Sequence, residues 1–199
     1  MKMTDNQFLI VEKAKEYAKK ILNDETTGHD YNHVLRVYNM ALRLSEGEIV
    51  NLFVISLAAI LHDLDDYKIA GINSNRTDMF LESHNVKEKN QIIAIIDNMS
   101  YSSHKAGHSE KTIEGQIVQD ADRLDALGAI GIARCFAYGG KKHRSIYKGS
   151  KDDDSSIAHF YQKLLKLPDL MNTEKAKLIA IDRLNFMKEY LKHFYEEWE

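Results

Sequence analysis

Apolar residues return every three to four positions along most of this sequence. That period leaves the α-helix as the element able to collect them on one face. Phe8, Val11, Ala14, Ala18 and Ile21 form one such stripe, and Ile92, Ile95, Ile96 and Met99 form another. Leu178, Ile181, Leu184, Met187, Leu191, Phe194 and Trp198 make a longer one. Each reads as a core stripe, although the last would serve a homodimer equally well. No period-two stretch of useful length competes with them. A single proline, Pro168, and ten glycines punctuate 199 residues, which suits long helices joined by short loops. Asp5, Asp30 and the pair Thr173 and Glu174 stand ahead of stripes, where they can cap exposed amides. The expected fold is all-α, with helices near 5–22, 30–46, 49–63, 75–84, 86–99, 112–138, 155–166 and 173–198. The least regular stretch, Gly139 to Asp154, combines three glycines with Lys141, Lys142, His143 and Arg144 and is expected to be a loop.

Length and charge narrow the setting. The chain is long enough to bury a sizeable core as one domain. Lys and Arg total 27 against 30 Asp and Glu, a formal charge of -3, so no global basic field invites a nucleic-acid polymer. One cysteine, Cys135, excludes an intramolecular disulfide and offers no thiolate zinc site. The first twenty residues include Asp5, Glu12 and Glu16 and lack the apolar core of a signal peptide. The longest apolar run, Leu52 to Leu61, is broken only by Ser56 and is about half the roughly 20 residues that span a bilayer. A cytoplasmic protein without a membrane segment is expected.

Against this apolar background a few polar residues stand in interior phase. His33 is in step with Val37, Met40 and Leu44, and His62 with Ile55 and Ala58. An interior imidazole needs a partner, and for either residue alone a core hydrogen bond would suffice. His62 is followed by Asp63, about 100° away on a helix, and a helix end facing a cavity would let both reach one cation. A third element is the run Gln119-Asp120-Ala121-Asp122-Arg123-Leu124-Asp125, where carboxylates interrupt apolar helical positions. Asp120 and Asp122 lie about 200° apart, so one of them is excluded from a small shared site. An i,i+3 pair with Arg123 is the alternative for Asp120. Two imidazoles and two carboxylates form a mixed nitrogen and oxygen set suited to Mn, Fe, Co, Ni or Zn.

The ordered set His33, His62-Asp63 and Asp122 resembles the signature of the HD-domain phosphohydrolase superfamily, in its small stand-alone bacterial subgroup. Gly28-His29-Asp30, Leu61-His62-Asp63, the string from Glu114 to Gly131 and Phe136-Ala137-Tyr138-Gly139-Gly140 carry the likeness over nearly the whole chain. The resemblance implies one helical domain, with a core of about residues 25–130 and C-terminal helices 155–198 packed on it. It implies a divalent metal, Mn, Co, Ni, Fe, Zn or Mg, held by His33, His62, Asp63 and Asp122, with Asp122 preferred to Asp120 because the ligand precedes a basic residue, here Arg123. It implies hydrolysis of phosphate ester or anhydride bonds, commonly in nucleotides such as nucleoside triphosphates.

A carboxylate four residues after the motif histidine is frequent in that family and falls here on Asp66. Asp66 would orient or deprotonate water, with Lys68 beside it as a cationic donor. Arg76, Arg123 and the loop cations Lys141, Lys142 and Arg144 are candidates for substrate phosphates. The alternative for Arg36 and Arg123 is pairing with the acidic cluster, and for the loop cations a solvated turn. A binuclear phosphodiesterase would recruit His84, His104 or His108, and a noncatalytic nucleotide-binding module would keep the site for regulation.

Overall fold

The computed structural model describes residues 3–22, 28, 30–65, 74–99, 110 and 112–198, and among them there are helices and no strand. The α-helices are α1 (Asp5–Leu22), α2 (Tyr31–Ser45), α3 (Leu52–Leu61), α4 (Arg76–Ser83), α5 (Lys89–Asn98), α6 (Ile113–Asp125), α7 (Gly128–Lys141), α8 (Ser156–Gln162) and α9 (Glu174–Trp198). A 3-10 helix, Leu164–Leu170, holds Pro168 between α8 and α9. No helix among the described residues is long and apolar enough to cross a membrane. Internal contacts divide the chain into two compact units, Met1–Glu25 with His29–Ala121, and Thr26–Gly28 with Asp122–Glu199.

The first unit is built around α3. Phe53 through Leu61 are all buried, so this helix is apolar on every face and must be surrounded, whereas its neighbours are apolar on one side only. Helices α1, α2 and α5 pack against it. They contribute Val11, Ala14 and Ala18, then Val34, Val37 and Ala41, then Ile92 and Ile95. Each large side chain fully buried in this way is worth about 1.5–3 kcal/mol relative to exposure. In the second unit α9 packs on α7 and on the 3-10 helix, and α8 packs on both α7 and the 3-10 helix.

Side chains close the helix ends. Thr4 Oγ1 accepts from Gln7 N and Gln7 Oε1 accepts from Thr4 N, a reciprocal capping box. The α1 cap is therefore Thr4, with Asp5 inside the first turn, rather than the Asp5 expected from sequence. Asp30 caps α2, Asn51 caps α3, and Ser155 caps α8, while Thr173 Oγ1 accepts from Ala176 N at the start of α9.

The expected single helix over 112–138 is broken. Ala126 N and Leu127 N turn back to the carbonyls of Arg123 and Leu124 at 3.2 and 3.0 Å, closing α6 with tightened i to i-3 bonds. Leu127 is then extended, and Gly128 takes φ +70° before α7 begins. The Ala126 carbonyl occupies the space that a Cβ at Gly131 would need. Helix α7 also runs on through Gly139 and Gly140 to Lys141, so the irregular stretch starts later than expected. The α9 stripe is rephased: Ala176, Ala180, Met187 and Leu191 are buried, while Leu178, Ile181 and Trp198 are exposed.

Two glycines of α7 should respond oppositely to a methyl group. Gly128→Ala forces a Cβ into left-handed backbone beside Arg183 and is expected to cost about 1–2 kcal/mol. Gly140→Ala meets no atom within 4 Å and is expected to stabilise by about 0.5 kcal/mol. Urea unfolding of both variants measures the pair.

Candidate metal centre

The site is assembled from the ends of three helices. At the start of α2, the Asp30 carboxylate accepts from His33 N at 2.8 Å, so the capping bond is made to the amide of the candidate ligand itself. His33 is fully buried, on the face that also carries Val34, Val37 and Ala41. At the other end of the first unit's central helix, α3 stops at Leu61, and His62 and Asp63 follow in the turn. His62 Nδ1 lies 2.9 Å from the Ala59 carbonyl oxygen. A carbonyl only accepts, so Nδ1 carries the proton there, and in the neutral ring Nε2 presents its lone pair.

That lone pair points at other donors of electrons. His62 Nε2 is 3.2 Å from His33 Nε2. The Asp63 carboxylate straddles the two rings, with Oδ2 3.3 Å from His33 Nε2 and Oδ1 3.4 Å from His62 Nε2. Asp122 joins from α6, as the residue directly after Ala121 of the first unit on one continuous helix. Single ligand atoms of His33, His62 and Asp122 all lie within 4.8 Å of one another, the group of metal-ligand type found among the described residues. Ligands held about 2.0–2.2 Å from one cation stand roughly 3.0–3.5 Å apart at the corners of its coordination shell. The imidazole and carboxylate spacings of 3.2–3.4 Å fit that shell, and a divalent cation converts facing lone pairs from repulsion to shared attraction.

The turn carrying His62 and Asp63 is tied down by a residue that the sequence did not single out. Asp65 accepts from Ser74 Oγ and, at 2.8 and 2.9 Å, from the amides of Arg76 and Thr77 at the start of α4. Burial works against its ionised form, but the hydrogen bonds from Ser74, Thr77 and Arg76 outweigh it and hold the carboxyl below the ordinary 3.8. The run His62-Asp63-Leu64-Asp65 hints at this, yet partners that are backbone amides leave no mark in sequence. Helix α6 is tied to α3 in a similar way, through Glu114 Oε1 accepting from Asn51 N at 2.9 Å.

The other sequence candidates are dispersed. Asp66, Lys68, His104 and His108 lie outside the described residues. Arg76 is half-buried, and its Nη1 lies 3.5 Å from the Leu64 carbonyl. Arg123 is buried and donates to the Leu170 carbonyl, which spends a guanidinium donor within the fold. Asp125 is buried in an ion pair with Arg134 at 2.7 Å. Asp120 is fully buried and is not in the metal-type group. His84 stacks on Phe80 with centroids 4.3 Å apart, its Nδ1 2.9 Å from the Phe80 carbonyl. Lys141, Lys142 and Arg144 are exposed, with Lys142 and Arg144 over the Tyr138 ring.

This arrangement has relatives. The family model described as HD domain matches residues 30–127. YpgQ of Bacillus subtilis is 40% identical over 187 residues, covering 91% of this chain and 90% of that protein. A crystal structure of an HD-superfamily hydrolase from Bacillus thuringiensis is 43% identical with a TM-score of 0.76, covering 96% of this chain and 98% of that one. The structure of Bacillus subtilis YpgQ in complex with ADP is 35% identical with a TM-score of 0.81, covering 96% of each chain.

A buried carboxyl at the base of α6 gives the site's helix a measurable pH signature. Glu110 is 6% exposed, and its Oε1 has no hydrogen-bond partner. Its carboxylate fills the space a Cβ at Gly115 would need. Burial raises its pKa above 4.5, so the folded state holds this proton more tightly than the unfolded one. The resulting penalty is absent below 4.5 and grows as pH rises through the raised value. Glu110→Gln is therefore expected to be more stable than wild type at about pH 7, with the difference closing by about pH 4. Urea titrations at the two pH values measure it, and an equal difference at both would contradict the assignment.

Proposed function

The chain belongs to the HD domain family, and we propose that within it this protein is a metal-dependent phosphohydrolase acting on phosphate ester or anhydride bonds of nucleotides in the cytoplasm. The observation that carries the reading is the convergence of His33, His62, Asp63 and Asp122. Those residues would hold one divalent cation, with Mn, Co, Ni, Fe, Zn and Mg all compatible with two imidazoles and two carboxylates. The nucleotide is supported by the ADP held by Bacillus subtilis YpgQ, and the hydrolytic reaction by the Bacillus thuringiensis relative.

A divalent cation bound there supplies Lewis acidity toward a phosphoryl oxygen and toward water. The chain's own residues prepare for it. The Ala59 carbonyl fixes the His62 ring so that Nε2, and not Nδ1, faces the site, and it adds electron density through the Nδ1 proton. Asp63 offers one carboxylate oxygen toward each ring, which keeps negative charge at the centre. Asp66 is assigned to accept a proton from the attacking water or to orient it, and Lys68 to offset charge that builds on the phosphoryl group. Arg76 and the exposed Lys141, Lys142 and Arg144 are assigned to the polyanionic part of the substrate. Arg123 is assigned instead to holding the Leu170 carbonyl.

Purified protein should show a thermal shift on adding Mn2+ or Co2+, equivalent to about 2.7 kcal/mol at a hundredfold excess over the dissociation constant. It should then release phosphate or pyrophosphate from a panel of nucleoside phosphates. His62→Ala and Asp63→Ala should each lower turnover by more than about 100-fold, beyond the loss typical of an outer-shell partner. Wild-type protein with neither a metal-dependent shift nor product release would defeat the reading.

A further inference from the structure

The end of a helix leaves carbonyls, and the start of the next leaves amides, that the helices cannot satisfy themselves. The end of α3 and the start of α4 satisfy each other across the turn His62 to Asp65. Leu61 O accepts from Thr77 Oγ1 at 3.3 Å, and Leu64 O lies 3.5 Å from Arg76 Nη1. The Asp65 carboxylate accepts from Ser74 Oγ, Arg76 N and Thr77 N. Asn75, which occupies the N-cap position of α4, makes no side-chain cap bond. Asp65 thus caps α4 from outside it, and its negative charge also suits the positive end of that helix. Both its oxygens are engaged by α4, so it is not a ligand in waiting.

We propose that Asp65 is a positioning residue for the metal centre: its clamp on α4 sets the directions in which His62 and Asp63 present their ligand atoms. The inference rests on the metal-centre reading and deepens it. Asp65 is two residues from Asp63, and Leu64 between them is fully buried with its amide on the Leu61 carbonyl at 3.1 Å. The turn is therefore held at both ends, by the helix behind it and by Asp65 in front. Releasing the front end leaves the Asp63 carboxylate on a one-sided turn. The 3.3 and 3.4 Å spacings to the two imidazoles then lose their support. A ligand set that must re-form on binding gives a weaker site than one already built.

Co2+ is a suitable probe, because its visible absorption reports coordination without any substrate. Asp65→Ala is expected to weaken Co2+ affinity by about 10- to 100-fold and to alter the absorption band. Asp65→Asn keeps one acceptor oxygen for the Ser74 and Arg76 donors and should recover most of the affinity. Asn51→Ala removes the cap at the opposite end of α3. It should lower thermal stability while leaving the cobalt affinity and spectrum as in wild type, which separates positioning from plain stability. Should Asp65→Ala fail to fold, Ser74→Ala removes only one of the three donors and is expected to weaken Co2+ binding about 2- to 10-fold. Folded Asp65→Ala or Ser74→Ala protein with wild-type affinity and spectrum would overturn the proposal. Wild-type protein that binds no Co2+ would overturn the metal-centre reading beneath it, a result distinguishable because it precedes any variant.

Discussion

Imidazole has two nitrogens, and in His62 one of them is held by the backbone of the helix that carries it. With Nδ1 bonded to the Ala59 carbonyl at 2.9 Å, the ring can rotate little and Nε2 is left to face inward. There it meets His33 Nε2 and the Asp63 carboxylate, all electron-rich and all packed against an apolar helix that offers no compensating donor. Such an arrangement in a low-dielectric interior is costly unless positive charge enters it. The rest of the first unit can be understood as what supports that concentration of lone pairs. Helix α3 supplies the apolar scaffold, α2 delivers His33 from its first turn, and α6 brings a second carboxylate.

The precision comes from helix ends, where the main chain has unsatisfied groups to trade. Asp30 caps α2 through the amide of His33, so the bond that starts the helix also places the ligand. Glu114 receives the amide of Asn51, which in turn caps α3. Asp65 holds the first amides of α4. In each case a short polar side chain links the end of one element to the start of another. These links fix turns that burial alone would leave free to shift.

Much of this was legible because polar residues in apolar phase are conspicuous. His33 and His62 declared themselves against Val37, Leu44, Ile55 and Ala58, and the all-helical fold came from the three-to-four period. What escaped notice had weaker signatures. The break after Asp125 was hidden because Leu124 and Leu127 continue the apolar spacing straight through it. Only Gly128 and Gly131, three residues apart, marked a place where backbone must approach backbone. The α9 stripe was misphased because leucine and isoleucine weigh more than alanine on any hydrophobic scale, yet Ala176 and Ala180 are the residues small enough for the close packing observed. Spacing alone could say that Asp120 and Asp122 face different ways but not which of them faces the histidines. The role of Asp65 was invisible, since its partners at 76 and 77 are amides that every residue but proline possesses.

The interruption at Leu127 and Gly128 has a consequence for how such chains diversify. Helix α6 finishes its own hydrogen bonding within Ala126 and Leu127, and the stretch matched by the HD domain model ends at residue 127. A segment joined at Gly128 therefore inherits a completed ligand-bearing helix and need not preserve its phase. The position is a seam: evolution, or an engineer building a chimaera, can exchange, extend or permute the C-terminal helices without rotating Asp122 away from the histidines. The ligand-bearing inheritance of the chain and its lineage-specific adornment meet at a single glycine.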